Sequence, residues 1–411
     1  MENETFALTI CVACGGNQLR SYLDLGFQPL ANSFAPPESN LKVYPLETNV
    51  CLTCFHSQLS IAVQPDLLFR DYAYVSGTTK TLTSYFDWFA KWAAEGKKPR
   101  LRVLDIASND GSLLNAFALN GHNVLGIDPA TNLIARAAML NIPTVCDYWP
   151  GTIADFLQPV FDIVVAMNVV AHVHDPLKFV MSVSKNALLK SGSFYIQTSQ
   201  SNMIANREFD TIYHEHVSFF TVRSMTELCR RAGMRLVDVQ KTPIHGESYL
   251  WTVRDISFSA SESVLEMERD EEEKGIYQID TYDQFMKDAL AITSKVKKAL
   301  EQLRASGFTL WAYGAAAKSN TFINFAGLEL NGVFDDNELK QGLISPGGNI
   351  PVLSPSRMAD QSGKIAVVCT AWNFRKEIAK RIKKHRGHGN DIILTYFPDL
   401  SVMTVNDVEV E

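Results

Sequence analysis

A chain of 411 residues, 46% hydrophobic and 20% charged, folds around more than one core, since a single core stops growing at roughly 250–300 residues. No stretch nears the roughly 20 apolar residues of a membrane helix, and a net charge of −7 with a pI of about 5.8 argues against a nucleic-acid partner, whose affinity comes from Lys and Arg releasing counterions. The opening MENETFALTICVACG has acids where a secretory signal carries positive charge, so a cytoplasmic location is expected.

Residues 1–75 are turn-rich and too poor in periodic apolar sequence to make a large core, yet they hold two CxxC pairs, Cys11/Cys14 and Cys51/Cys54. Each pair closes a tight turn, and four thiolates suit the tetrahedral sulfur preference of Zn2+. Four protein ligands leave no open position, so the zinc is expected to be structural; the alternatives are a redox pair or four buried thiols. His56 is a conceivable substitute ligand that four cysteines do not need.

Residues 78–97 have helical apolar spacing. From Arg100 the runs LRVLDIA, SNDGSLLNAFALNG, HNVLGID and PATNLIARAAMLNI read as strand, glycine turn with helix, strand and helix. FDIVVAMNVV and SFYIQT continue that alternation, which implies a parallel sheet. Residues 223–233 form a helix closed by glycine, and MRLVDVQKTP and ESYLWTVR follow as strands. Residues 260–306 are charge-rich and read as exposed helices joining domains. FTLWAYGAAAKSNTFINFAG then opens a second βα series, continued by NGVFDDN, KIAVVCTAW and DIILTYF. The basic run KKHRGHG at 383–389 reads as a solvated helix end.

Two strand ends of the first series carry acids. Asp105 ends the first strand, Asn109 and Gly111 occupy the turn after it, and Asp128 ends the next strand, where a carboxylate accepts both ribose hydroxyls of a nucleoside. The turn lacks the full GxGxxG of dinucleotide folds, and a sulfonium ligand without phosphates has less need of free N–H groups; S-adenosylmethionine therefore fits better than NAD. NVVAHVHDP, after a later strand, offers Asn168 and His172 at the carboxyl edge, where open α/β sheets bind ligands. An ordinary βαβ unit with an incidental Asp is the alternative.

FDTIYHEHVSFF sets Tyr213, His214, Glu215 and His216 in consecutive positions. If the run is extended, Tyr213 and Glu215 share one face and the histidines the other. Methylating carbon requires a carbanion equivalent, hence a base and a stabiliser of the enolate; histidine suits the first role and tyrosine or another donor the second. A metal site from His214, Glu215, His216, His172 and His174 is the competing reading.

The CxxC pairs, VLDIASNDGSLL, AHVHDP, YHEH and YGAAAKSN together resemble, over nearly the whole chain, the sugar C-methyltransferase family that acts on nucleotide-linked keto-deoxysugars. The resemblance implies an α/β chain of three domains: a zinc-binding module at 1–75, a class I methyltransferase Rossmann-like domain at 76–242 and a second Rossmann-like domain at 243–411. It implies that a dTDP- or GDP-linked 4-keto-6-deoxysugar binds between the last two and is methylated at C3. It makes His216 the base and sets Tyr213, Glu215, His172 and Tyr74, from YAYVSG, around the sugar, with His214 and His245 also at the substrate. The glycine turn YGAAAKSN, with Gly314, Lys318, Ser319 and Asn320, becomes a nucleotide-sugar contact with Lys318 near the pyrophosphate. It lacks GxxxxGK[ST], so no ATPase activity is expected. Relatives tend to show His-Gly-Gly-Ser where this chain reads His245-Gly246-Glu247-Ser248. An NAD-dependent nucleotide-sugar oxidoreductase and a methyltransferase with a non-sugar acceptor are the alternatives. Oligomeric state is left open, a monomer being compatible with the sequence.

Overall fold

Short strands and knuckle turns make up the cysteine-rich start of the chain: β1 (Thr5–Ala7), β2 (Leu19–Pro29), β3 (Val43–Cys51), β4 (Ser57–Leu59) and β5 (Ile61–Val63), then the short helix α1 (Pro65–Phe69). The computed structural model describes residues 4–70, 72, 75–198, 202–244, 247–387 and 390–408. The chain divides into two compact units, one built from residues 1–21, 48–202 and 215–277 and the other from 22–47, 203–214 and 278–411. The zinc-binding segment is therefore not a body of its own. Cys11, Ala13, Cys51 and Cys54 share one apolar cluster with Phe220, Val222, Met225 and Leu228, because a segment this small cannot bury a sufficient core alone.

In the first unit, α2 (Lys80–Ala94) is capped by Thr79, whose hydroxyl accepts from Leu82 N–H at 3.3 Å, and buries Leu82, Phe86, Phe89 and Ala93 at helical spacing. There follow β6 (Arg102–Ile106), α3 (Ser112–Leu119), β7 (Asn123–Ile127), α4 (Thr131–Met139), β8 (Thr144–Val145), α5 (Thr152–Phe156), β9 (Phe161–Met167), α6 (Pro176–Asn186) and β10 (Leu188–Thr198). Beyond α7 (Asn202–Asn206) come β11 (Ser218–Phe219), α8 (Val222–Arg231), β12 (Met234–Thr242), β13 (Ser248–Asp255) and α9 (Glu262–Glu273). Seven strands hydrogen-bond in the order β12-β13-β10-β9-β6-β7-β8, with β6 to β10 mutually parallel and β13 antiparallel to both neighbours. This is the strand order of a class I methyltransferase sheet. Helices cover both faces, so Val103, Ile163, Val165 and Ile196 are fully buried. β13 lies beyond residue 242, where the sequence suggested a third domain would begin. It wedges between β10 and β12 and carries the first unit on to Tyr277.

The second unit begins its own sheet after α10 (Ile279–Ala305), which is more than an exposed connector: Tyr282, Phe285, Ala289, Val296 and Leu300 form a buried stripe. β14 (Thr309–Tyr313), α11 (Ala317–Ala326), β15 (Gly332–Phe334), β16 (Ile344–Ser345), β17 (Ile350–Leu353), β18 (Ile365–Cys369), α12 (Arg375–Arg386), β19 (Ile392–Thr395) and β20 (Ser401–Thr404) follow. Their order is β16-β17-β15-β14-β18-β19-β20, parallel except for the two edge strands. Two distant segments complete this unit. Asn320 donates to Ala31 O at 2.7 Å, Tyr22 meets Tyr282 edge-on at 5.1 Å, and the Tyr396 hydroxyl donates to Asp210 at 2.7 Å. The basic end of α12 is only partly solvated, since Arg386 pairs with buried Asp391 at 2.8 Å. No helix among the described residues is long and apolar enough to cross a membrane.

Candidate active site

The four cysteine sulfurs converge. Cys11 and Cys54 Sγ lie 3.6 Å apart, as do Cys14 and Cys51, and all four lie within 4.8 Å of one another. Tetrahedral zinc with Zn–S near 2.3 Å spaces its sulfurs about 3.8 Å apart, so the donor set and its spacing fit a closed, structural ion. Backbone N–H groups of Cys14, Gly16 and Thr53 point at the sulfurs of Cys11, Cys14 and Cys51, as thiolates require. His56 is not a spare ligand: its ring sits between the hydroxyls of Ser218 (3.2 Å) and Ser224 (3.4 Å), and burial pushes its pKa down to about 3, keeping it neutral. The knuckles also grip their surroundings. Arg231 donates to Ala13 O at 2.6 Å, and β11 pairs with β4 through Ser218–Gln58 and Phe219–Ser57.

At the carboxyl edge of the first sheet, Asp105 and Asp128 are buried at the ends of β6 and β7. Asp128 accepts from Asn109 N–H and Ala130 N–H, each at 2.8 Å, while Asp105 Oδ1 has no partner among the described residues. Burial raises the pKa of both, and the Asp128 charge raises Asp105 further. A bare buried carboxylate oxygen beside a second strand-end acid is a fit for the polar groups of a bound nucleoside. The turn between them is cramped: Ala107, Asn109 and Gly111 have φ of 59°, 53° and 78°. A Cβ on Gly111 would come within 3.1 Å of Ala137 and 3.3 Å of Ile142, so this glycine answers to helix packing as well as to its left-handed φ. Asn109 Oδ1 accepts from Ser76 N–H at 2.9 Å, and Asp110 from Gly77 N–H at 2.9 Å, latching the segment before α2 onto the turn. Asn168, at φ 57° just after β9, accepts weakly from Gln197 at 3.4 Å, and Gln197 in turn accepts from the Tyr85 hydroxyl at 2.7 Å.

Beside this edge lies an imidazole stack. His172, in the turn after Asn168, and His216, just before β11, stack with ring centroids 5.2 Å apart. Phe69 stacks on His172 at 5.9 Å, and Phe219 meets His216 edge-on at 6.0 Å. Buried Glu215 accepts from the Tyr72 hydroxyl at 3.3 Å, and the Tyr72 backbone is tied to Asn132, the second residue of α4, by a 2.9 Å bond. His172, Glu215 and His216 are thus brought together with Tyr72 and Phe69, two residues that the sequence reading did not single out. A YxY pair just after α1 was the available signal; Tyr74, chosen from that pair, lies outside the described residues, as does His245.

The YHEH run is a bend and turn, not a strand, so alternation of faces does not apply. Tyr213 and His214 belong to the second unit and Glu215 and His216 to the first. His214 is buried with Tyr44 edge-on at 6.0 Å, and burial lowers its pKa to about 4. In the second unit, Gly314 (φ 102°) turns the chain from β14 into α11. Ser319 and Asn320 are fully buried: Ser319 accepts from Ala316 N–H at 3.3 Å, and the Asn320 amide is bound to Ala31 and Ser345. Lys318 alone of this set is half-exposed, its ammonium 4.3 Å from the Trp372 ring centre, and its charge reaches buried Asp210. The imidazole stack, the strand-end acids and the thiolate site are three distinct chemistries within one unit.

Three family descriptions match successive parts of the chain: a zinc binding domain at residues 11–69, a methyltransferase domain at 79–239 and a C-methyltransferase C-terminal domain at 243–398. The chain is 27% identical over 398 residues to the C-methyltransferase NovU of Streptomyces niveus, covering 93% of this chain and 94% of that one. It is 28% identical over 177 residues to a ubiquinone biosynthesis O-methyltransferase of Cereibacter sphaeroides, covering 39% of this chain and 71% of the relative. Among solved structures it is similar to magnesium protoporphyrin IX methyltransferase of Synechocystis with bound SAM, at 16% identity and a TM-score of 0.33, over 42% of this chain and 79% of that one.

Proposed function

We propose that this chain, an S-adenosylmethionine-dependent C-methyltransferase homologue with the zinc-binding, methyltransferase and C-terminal domains just described, methylates a carbon next to the ketone of a nucleotide-linked 4-keto-6-deoxysugar, at C3. The observation that carries the reading is the stacked pair His172 and His216 beside buried Glu215 at the ligand edge of the methyltransferase sheet. Such a cluster of proton-moving groups is what enolisation needs and what transfer to an oxygen can do without.

In this reading Asp105, Asp128, Asn109 and Asn168 hold the donor, which when bound supplies an electrophilic methyl on a sulfonium. His216 removes the proton from C3, and the electron pair delocalises onto the ketone oxygen as an enolate. Tyr72 and Glu215 hold the polar environment around the ring, and His172 backs the imidazole that takes up the charge. The enolate carbon then bonds to the methyl, whose former bond electrons leave with sulfur, giving S-adenosylhomocysteine and a branched keto sugar. Orientation supplies much of the acceleration, since the electrophile is already activated. Lys318, half-exposed at the start of α11, is assigned to the pyrophosphate.

The test incubates the protein with S-adenosylmethionine and dTDP-, GDP- and CDP-linked 4-keto-6-deoxysugars and looks by mass spectrometry for one added methylene unit. Gain with one nucleotide supports the reading; no gain with any, while donor binding is confirmed, refutes the sugar assignment.

A further inference from the structure

Among the described residues, nine other than glycine have positive φ, and eight of them fall between 50° and 69°, the ordinary left-handed well. Glu247 stands apart at φ 118°, a region that strains a residue with a Cβ. Its N–H closes a turn onto Ile244 O at 3.3 Å, and it immediately precedes β13. Because β13 runs antiparallel to β10, with Tyr249 opposite Thr198, Glu247 lies at the same edge of the sheet as Asp105, Asp128 and Asn168. The edge is continuous in polar groups: Asn168 to Gln197, Gln197 to Tyr85, Tyr85 to Thr242, and Thr242 to Ser248 O.

Glu247 is half-buried and accepts from Asn202 Nδ2 at 3.1 Å. Asn202 is 2% exposed, and its other amide atom, Oδ1, has no hydrogen-bond partner among the described residues. A buried amide oxygen left bare is costly unless a ligand donor meets it. A carboxylate and a carbonyl oxygen side by side are both acceptors, so the group they recognise is a donor.

We propose that Asn202 and Glu247 form a specificity site for the acceptor, reading a hydroxyl or amino group on the sugar. The inference rests on the methyl-acceptor reading above. A site built to hydrogen-bond a substrate OH or NH discriminates strongly against the analogue lacking it, because its own polar atoms are then left unpaired. The strained φ, which a glycine at this position would relieve, belongs to the same explanation.

Two measurements test it. In the first, wild type, Glu247→Gly and Glu247→Gln are assayed on pairs of nucleotide-linked 4-keto-6-deoxysugars that differ by one hydroxyl or one amine. Wild type is expected to prefer one hydroxylated or aminated member by about tenfold or more in kcat/KM. Glu247→Gly should erase most of that preference through KM with kcat little changed. Glu247→Gln, which keeps the shape without the charge, should lose an amine preference and retain part of a hydroxyl preference. Equal preferences in wild type and Glu247→Gly overturn the proposal. The second measurement needs no acceptor: ligand-free Glu247→Gly should melt about 2–4 °C above wild type, by release of backbone strain. A lower melting temperature would make Glu247 a structural residue and overturn the proposal, even if wild type methylates none of the sugars and the acceptor reading has failed by itself.

Discussion

His216 and Glu215 adjoin in the chain yet meet different neighbours, an imidazole and a phenylalanine ring for one and a tyrosine hydroxyl for the other. If His216 is the base, His216→Asn should cut turnover by about 10²–10⁴-fold while calorimetric affinity for S-adenosylhomocysteine stays within twofold of wild type. It should also stop the washout of the C3 proton into D2O when the acceptor is incubated with enzyme and S-adenosylhomocysteine; continued washout would move the role elsewhere. Tyr72→Phe tests the hydroxyl on Glu215, with kcat expected to fall by roughly tenfold and donor affinity to hold. Another residue gives a prediction in stability. Glu271 is fully buried, its Oε2 accepting from Val222 N–H at 2.8 Å and from the Tyr277 hydroxyl, its Oε1 bare. Burial raises its pKa from 4.5 to about 7. A raised acid stabilises the fold while protonated in it: the contribution is whole below the unfolded pKa and is lost as pH rises through about 7. Thermal melts from pH 5 to 8.5 should therefore fall by an amount worth roughly 2–3 kcal/mol in wild type and run flatter in Glu271→Gln. At this scale the sequence showed residue types dense in chemistry, but His216 stacks on His172 from the turn after β9, which in turn stacks on Phe69 of α1, and no local pattern announces pairings between residues so distant in the chain.

Elements were the most legible level. The valine- and isoleucine-rich runs at 102–106 and 161–167, each ended by an acid or amide, declare buried parallel strands, because a strand covered on both faces has no polar alternation. Two elements defied local reading for tertiary reasons. β13 has the composition of any strand, and only its pairing with β10 assigns it to the first sheet. The YHEH run bends because the residues after it must enter β11 and anneal to β4. That pairing gives the thiolate site a consequence for chemistry. β11 begins two residues after His216 and is hydrogen-bonded to β4, the strand that follows the Cys51/Cys54 knuckle. Stripping zinc should therefore loosen β4 and β11 along with the knuckles, lowering the melting temperature and turnover together, with both restored by Zn2+. Co2+ in its place should give the absorption bands of tetrahedral thiolate coordination. Unchanged turnover after verified metal loss would separate the thiolate site from the placement of His216.

At the scale of the molecule, two open α/β sheets were foreseeable from the repeated strand–glycine–helix alternation, whereas the allotment of chain to each was not. Each unit draws on three separate stretches. The second needs Phe209 against Phe322 and Phe325, Asp210 under Tyr396, and Ala31 O on Asn320, all supplied from far upstream. A fragment of residues 278–411 should accordingly fail to give a cooperative melt or dispersed amide resonances. One that adds 22–47 and 203–214 through short linkers should recover both.

The chain passes from one unit to the other five times, and one passage falls inside YHEH, between His214 and Glu215. A family that diversifies by trading modules at single junctions cannot easily trade these two. A recombination event at any one point would leave each half with foreign pieces, so new acceptor preferences have to arise by substitution within an intact pair of units. Chimeras made in the laboratory face the same arithmetic: exchanging the second unit between relatives means moving three stretches at once, with the seam of one of them next to the proposed base.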